Sequence, residues 1–511
     1  MKNPSGSLYN LIHSLTSDER GYFRKNASSN IQGGTKAYIK LFNEILQTKE
    51  YNEMLLKKTF SEEKFAKHFW KIKTYLYKTI LKSLRDYHSE NVRELKTNKV
   101  LDNLYLLLEK GLYNDSKKLL SKTKKMCYDY ELYAPLLRLL VFEKKLMVNT
   151  RHSGLNEKDI KKHFEEVNKA TEKINNWNEY QYNSSRLFLL IKKKSSVKSW
   201  DDLKDIYAIM QQPIYKDVNN AVTFEAKLSF HKAHYYYYYL ACDYENCYSH
   251  SEKMLELFES SGIKMKSRPD AYVKLLANHL EVCLQISRFD RFQIYFEKVR
   301  AFESVCVNKA DAMNIVYLNL ELEYYIKTGK YGKGLQMIDK INDVTNSLQG
   351  AANEMMKCSV YYNIAYLYFL KNDFHKSIYY LNKILHDSKV KDEIEIFYYA
   401  RLLNLIVHYE IGSFTLLESI LKSTYRYLYK RQRVYKFEKQ IYRFIKSLFN
   451  VKSEKKLIKS FDQLKHSLEE ILFNPFENGA LDYIDLVSWL ESKITNRKFS
   501  DVLDDKLKHV A

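Results

Sequence analysis

The chain has 511 residues, a formal net charge of +21, five prolines, 13 glycines and 44 tyrosines. So few prolines and glycines exclude a β-rich or loop-rich protein, and the abundance of Lys, Leu, Glu, Ile and Tyr points to an all-α fold. Six scattered cysteines are too sparse for a disulfide scaffold and suit thiols in a reducing compartment, so the cytoplasm is the expected location.

The start, MKNPSGSLYNLIHSL, lacks the basic lead and long apolar core of a secretion signal. The longest apolar run, Ala134 to Phe142, is too short and too interrupted to span a bilayer, so no membrane insertion is expected. Residues 1–95 form an amino-terminal helical region without a clear repeat. Thr16-Ser17-Asp18-Glu19 is a capping box opening a helix with Tyr22 and Phe23. Ser29 to Thr35, with Gly33-Gly34, reads as a loop, and Tyr38, Leu41, Phe42 and Ile45 mark the next helix. A long basic helix is predicted from about 61 to 88, carrying Phe69, Trp70, Tyr75, Leu76 and Ile80. The stretches SLTSDERGYFRK, KAYIKLFNEI and KTYLYKTILKSLRDY resemble the amino-terminal part of uncharacterised bacterial tetratricopeptide-like proteins. That resemblance implies a bacterial origin and carries no activity.

Between residues 96 and 440 one turn signal recurs. Its clear instances are Cys242-Asp243-Tyr244, Ser287-Arg288-Phe289, Gly329-Lys330-Tyr331, Asn372-Asp373-Phe374 and Gly412-Ser413-Phe414, separated by 45, 42, 43 and 40 residues. Gly111-Leu112-Tyr113, Ser153-Gly154-Leu155 and a fainter signal near Ser199-Trp200-Asp201 extend the series upstream. Apolar helical runs flank each turn, which predicts about eight helical hairpins.

The stretch SVYYNIAYLYFLKNDFHKSIYYLNKIL, residues 359–385, is the clearest unit. Tyr361, Ile364, Ala365 and Tyr368 share one helix face, Asn372 and Asp373 suit a helix end and the next cap, and Phe374, Ser377, Leu381 and Ile384 form a second face. These ten residues resemble a tetratricopeptide repeat, without its closing proline. The period of about 43 exceeds that family's usual ~34 and falls in the range of HEAT-type repeats, ~40–47, so the turn and the period favour different helical repeats. Either implies an α-solenoid, closed by a terminal cap over residues 441–511. The family resemblance also implies a groove lined from the first helix of each unit, here by Tyr236, Tyr239, Glu281, Glu323, Tyr362, Tyr366, Phe369 and Tyr409. It implies a protein or peptide partner for that groove.

No catalytic residue, cofactor or metal is expected. No His-Glu-x-x-His, Gly-x-Ser-x-Gly or Gly-x-Gly-x-x-Gly motif occurs, and Gly33-Gly34-Thr35-Lys36 and Gly329-Lys330 lack the spacing and preceding strand of a phosphate loop. His231, His234, Cys242, Cys247 and His250 are the nearest approach to a metal set, but most coincide with repeat positions that pack in the core or at the turn. The remaining signal is TYRYLYKRQRVYKFEKQIYRFIK, residues 424–446. Arg426, Lys430, Arg431, Arg433, Lys436, Lys439, Arg443 and Lys446 alternate there with tyrosines, the chemistry of phosphate contact and base stacking. Its bland reading is a solvated face whose tyrosines are core, and the 66 lysines against 17 arginines fit a compositional origin for the net charge. Nucleic acid is the alternative partner.

Overall fold

The computed structural model describes residues 6–28, 37–48, 50–63, 66–89, 92–193, 197, 199–303, 310–347, 351–386, 395–430, 436–448, 453–478 and 483–510. These form helices and the turns between them, with no strand among the described residues. No helix among them is long and apolar enough to cross a membrane. The chain divides into two units, residues 1–174 and 175–511.

In the first unit the capping box forms in both directions. The Glu19 amide donates to Thr16 Oγ1 at 3.3 Å, and Glu19 Oε2 accepts the Thr16 amide at 2.8 Å. The helix Ala37–Gln47 buries Tyr38, Leu41, Phe42 and Ile45, as its periodicity predicts. The loop expected at Ser29 to Thr35 lies outside the described residues. The basic helix begins later than expected. A short helix Glu53–Thr59 and a single tight turn Ala66–His68 precede Phe69–His88, because the chain turns at Ser61 and Glu63 after burying Phe60.

Helices Arg93–Glu109, Tyr113–Asp129 and Tyr133–Asn149 follow, joined at Gly111 and at Glu131, both left-handed. Glu131 carries no turn signal, so that junction was not expected. The expected break between hairpins beyond residue 154 is also missing. Glu157–Lys193 is one helix of 37 residues, which fits a stretch without a single Gly or Pro. Ser199 does cap a new helix, Trp200–Met210, but that helix is followed by two short turns rather than a partner. Of the upstream signals, Gly111 and Gly154 lie left-handed at helix junctions, with φ of 73° and 77°, while the one near Ser199 opens a helix only.

The five clear turns behave alike. Cys242, Ser287, Gly329, Asn372 and Gly412 have φ of 56°, 57°, 69°, 59° and 76°. After each, the next amide donates to the carbonyl five residues back: Asp243 to Tyr238, Arg288 to Cys283, Lys330 to Tyr325, Asp373 to Tyr368 and Ser413 to His408. Asp243 and Asp373 then cap the second helix through their side chains. The paired helices run antiparallel. Tyr235 meets Cys247 while Tyr239 meets Tyr244, and Tyr361 meets Tyr380 while Phe369 meets Phe374. In the Gly329 hairpin the second helix is split at Met337 into Tyr331–Gln336 and Ile338–Ser347. Gly334 sits there against Leu322 and Leu367, where a Cβ would come within 3.0 Å of the Leu367 side chain.

Successive hairpins are tied by polar contacts of similar reach. Tyr239 donates to Glu281, Arg268 to Glu225, Arg288 to Glu245, Tyr295 to Glu252, Tyr317 to the Val273 carbonyl and Asn363 to Asn319, across 42 to 44 residues of sequence.

Two glycines allow the turn to be tested. At Gly412 a Cβ would meet nothing within 4 Å, so Gly412→Ala isolates the cost of the left-handed backbone, about 1 kcal/mol. At Gly329 the added Cβ would also come within 2.9 Å of Asp504 Oδ1. Thermal melting is expected to show the larger drop for Gly329→Ala, and equal melting temperatures would refute that ranking.

Candidate functional site

The first-helix positions read as a groove are not one open surface. Tyr362, Tyr366 and Phe369 lie on the helix Ala351–Leu370 at 1 %, 8 % and 2 % exposure. What covers them is the chain's own end, helices Leu486–Ile494 and Phe499–Val510 with the turn that precedes them. Tyr362 donates to the Tyr483 carbonyl at 3.0 Å, and the Tyr483 ring stacks on Tyr399 with centroids 3.8 Å apart. Phe499 packs on Tyr366 and Phe369. Burial raises the hydroxyls of both Tyr362 and Tyr366 well above the usual tyrosine range. The groove assignment is therefore corrected at these three residues, which are core.

Tyr409, half-buried, packs edge-on against Trp489 and Phe461. Beside it Glu410 accepts Trp489 Nε1 at 2.6 Å and Lys493 Nζ at 2.5 Å. Further on, Asp504 accepts the Tyr331 hydroxyl at 3.1 Å. The carboxy-terminal segment thus crosses the hairpins turning at 412, 372 and 329 in reverse order. Sequence reasoning assigned residues 441–511 to a terminal cap and gave no sign of these contacts. The contact partners lie about 80 to 170 residues away, and no local pattern names them.

The upstream positions differ. Tyr239 donates to Glu281 at 3.2 Å, and the nearby Glu281 carboxylate, then burial, raise its hydroxyl. Glu323 is half-buried, 3.7 Å from Lys327, and burial pushes its carboxyl up. Tyr236 is half-buried on the same helix as Tyr239.

The basic segment is two helices, Phe414–Lys430 and Lys436–Leu448. The second starts where buried Glu477 accepts the amides of Lys436 and Phe437 at 3.1 and 3.2 Å. Arg426, Lys436, Lys439, Arg443 and Lys446 are exposed. Arg431, Arg433 and the Lys430 side chain lie outside the described residues. Tyr425 stacks on Tyr442 at 4.4 Å, while Tyr427 packs on Phe397. Asp485 caps its own helix and pairs with Lys506 at 3.1 Å.

His231, His234 and His250 do come together. His231 and His250 approach through their Nδ1 atoms at 3.0 Å, and the His234 and His250 rings stack at 4.6 Å and 5°. Parallel stacked rings keep their in-plane lone pairs from converging on one ion, and His234 Nδ1 is engaged by the Phe230 carbonyl at 3.0 Å. Cys242 is the left-handed turn residue, and the buried Cys247 thiol faces the Tyr235 carbonyl. No group of three or more His, Cys, Asp or Glu is placed to hold a metal among the described residues. A Ser251–His279 pair at 2.7 Å escaped the sequence reading, and both residues are fully buried. A cleft of about 400 Å³ opens beside Phe296 and Tyr325, but its wall is self-satisfied: Arg300 bridges Glu297 and Glu321, and Gln293 and Lys330 both reach the Tyr324 hydroxyl.

Comparison with family models, curated proteins and solved structures yields no match to this chain.

Two measurements follow from this geometry. Tyr362→Ala is expected to destabilise the protein by ~3–5 kcal/mol and Tyr362→Phe by about 1 kcal/mol. Limited proteolysis should release the carboxy-terminal segment in the first only, and an unchanged melting temperature for Tyr362→Ala would return that ring to the groove. The histidine cluster sets a pH dependence. Burial, with Lys253 and the neighbouring rings, lowers His231 to about 4 and His250 to about 3, and lowers His234 as well. Folded pKa values below the unfolded value of 6.5 mean that the unfolded chain takes up these protons first. Their contribution is intact above pH 6.5 and is lost as pH falls towards 4 and 3. Replacing all three with Gln is expected to flatten melting temperature against pH in that window.

Proposed function

We propose that this is a non-enzymatic interaction protein, a tetratricopeptide-like α-solenoid whose inner face holds a peptide or partner helix. The observation that carries the reading is the carboxy-terminal segment itself. It lies across the first helices of the hairpins turning at 412 and 372 and reaches the turn of the hairpin at 329, anchored by Tyr483, Trp489 and Phe499 on aromatic positions. A surface that takes its own helix through spaced aromatic anchors has the chemistry of helix-in-groove recognition. The period of about 43 is supported by the equivalence of the five left-handed turns and by the inter-hairpin hydrogen bonds spanning 42 to 44 residues. Cys127, Cys247 and Cys283 are buried thiols, which supports a cytoplasmic setting.

One observation favours polyanion binding as a second reading. Arg426 and Arg443 are exposed on neighbouring helices joined by the Tyr425–Tyr442 stack, and no carboxylate among the described residues pairs with either. Affinity purification from the native cell, with and without nuclease, separates the two. Protein partners that survive nuclease are expected. Loss of every partner on nuclease treatment would transfer the function to the basic helices.

A further inference from the structure

The helix Phe69–His88 of the first unit buries Phe69, Leu76 and Ile80 on one side. At about 100° per residue its other side carries two adjoining stripes. Trp70, Tyr77 and Leu81 form one, at 66 %, 37 % and 40 % exposure. Lys71, Lys78, Lys82 and Arg85 form the next, all exposed and none paired with a carboxylate among the described residues. From Phe65 to Arg85 the sequence holds six Lys or Arg and no Asp or Glu. A second apolar group stands nearby. Lys73, one turn from Trp70, donates to Glu53 at 2.7 Å and to the Tyr51 hydroxyl at 2.6 Å, tethering the helix Glu53–Thr59. The two residues after Glu53 are Met54, 81 % exposed, and Leu55, 55 % exposed.

We infer that this face docks on an anionic lipid surface. A solvated lysine face or one exposed tryptophan would be ordinary alone. Here a cationic stripe and an apolar stripe run side by side along the same helix, with further aliphatic groups beside its start. The cations complement a negative surface. Trp70 and Tyr77 are the residue types that settle at the headgroup level, and Met54, Leu55 and Leu81 gain by leaving water at the acyl boundary. A nucleic acid would use the same charges less well. Aliphatic groups have no ring on which a base can stack, and three of the four cations are lysines, which lack the planar fork that grips phosphate bidentately. No helix among the described residues is long and apolar enough to span a bilayer, so the association is peripheral.

The test uses the full chain and sedimentation with vesicles of phosphatidylcholine, alone or with about 30 % phosphatidylglycerol. The protein is expected to sediment only with the anionic vesicles, and to be released as salt rises from roughly 50 to 500 mM. Substituting Lys71, Lys78, Lys82 and Arg85 with Gln should weaken binding on the order of a thousandfold. Replacing Trp70, Tyr77 and Leu81 with Ala should weaken it on the order of tenfold. Arg426→Gln with Arg443→Gln should sediment like the native chain. Lipids brominated near the headgroup should quench the native fluorescence, with Trp70→Phe removing that quenching, a readout independent of whether the multiple variants fold. The inference is overturned if the native chain stays in solution with anionic vesicles at low salt, or if either multiple variant sediments unchanged. It is equally overturned if the four cations bind single-stranded RNA while vesicles are ignored.

Discussion

The second unit depends on one hydrogen bond repeated at each clear turn. An amide just past the first helix returns to the carbonyl five residues earlier, and it reaches that carbonyl only if the residue before it is left-handed. Gly329 and Gly412 adopt that conformation freely, while Cys242, Ser287 and Asn372 do so against a penalty of up to ~1–2 kcal/mol. The penalty is tolerated because the turn sets the register of everything after it. With Cys242 left-handed, Tyr235 faces Cys247 and Tyr239 faces Tyr244, and a one-residue change in the turn would rotate the second helix by about 100° and bring polar side chains inward.

A helix interior so rich in tyrosine imposes a second requirement. Each buried ring delivers a hydroxyl that needs a partner. Tyr317 finds the Val273 carbonyl at 2.7 Å, Tyr180 finds that of Ile214 at 2.6 Å, and Tyr362 finds that of Tyr483 at 3.0 Å. The first acceptor comes from the adjacent hairpin, but the third comes from a segment more than a hundred residues further along. Aromatic first-helix positions that would face water in an open groove are thereby satisfied within the chain. At Tyr362, Tyr366 and Phe369 the residues that resemble groove positions are the ones that build the core.

This explains what the sequence made legible. Turn chemistry is local, so Cys242, Ser287, Gly329, Asn372 and Gly412 could be placed to the residue, as could the Thr16–Glu19 capping box. Glu131 could not, because a glutamate in the left-handed region is held there by the packing of the helices on either side rather than by its own preference. The continuous Glu157–Lys193 helix was hidden for a related reason: a missing turn leaves no signal in a polar stretch, and the regular spacing on either side suggested one. The fate of Tyr362, Tyr366 and Phe369 was out of reach altogether. An amphipathic face shows that something covers it, and only the tertiary fold shows that the cover includes Tyr483.

Self-coverage also divides the first-helix faces by competition. Where Tyr483, Trp489 and Phe499 sit, any ligand competes with a segment of the same chain. Displacing it also exposes rings whose burial stabilises the hairpins, so binding there is coupled to local unfolding. The positions around Tyr236, Tyr239, Glu281 and Glu323 are half-buried, and a carboxylate is already engaged by a tyrosine hydroxyl there. A ligand of that region loses less on entry and meets a more polar wall. Under the function proposed above, an external partner meets the lower cost over the upstream helices, because downstream the chain already covers itself.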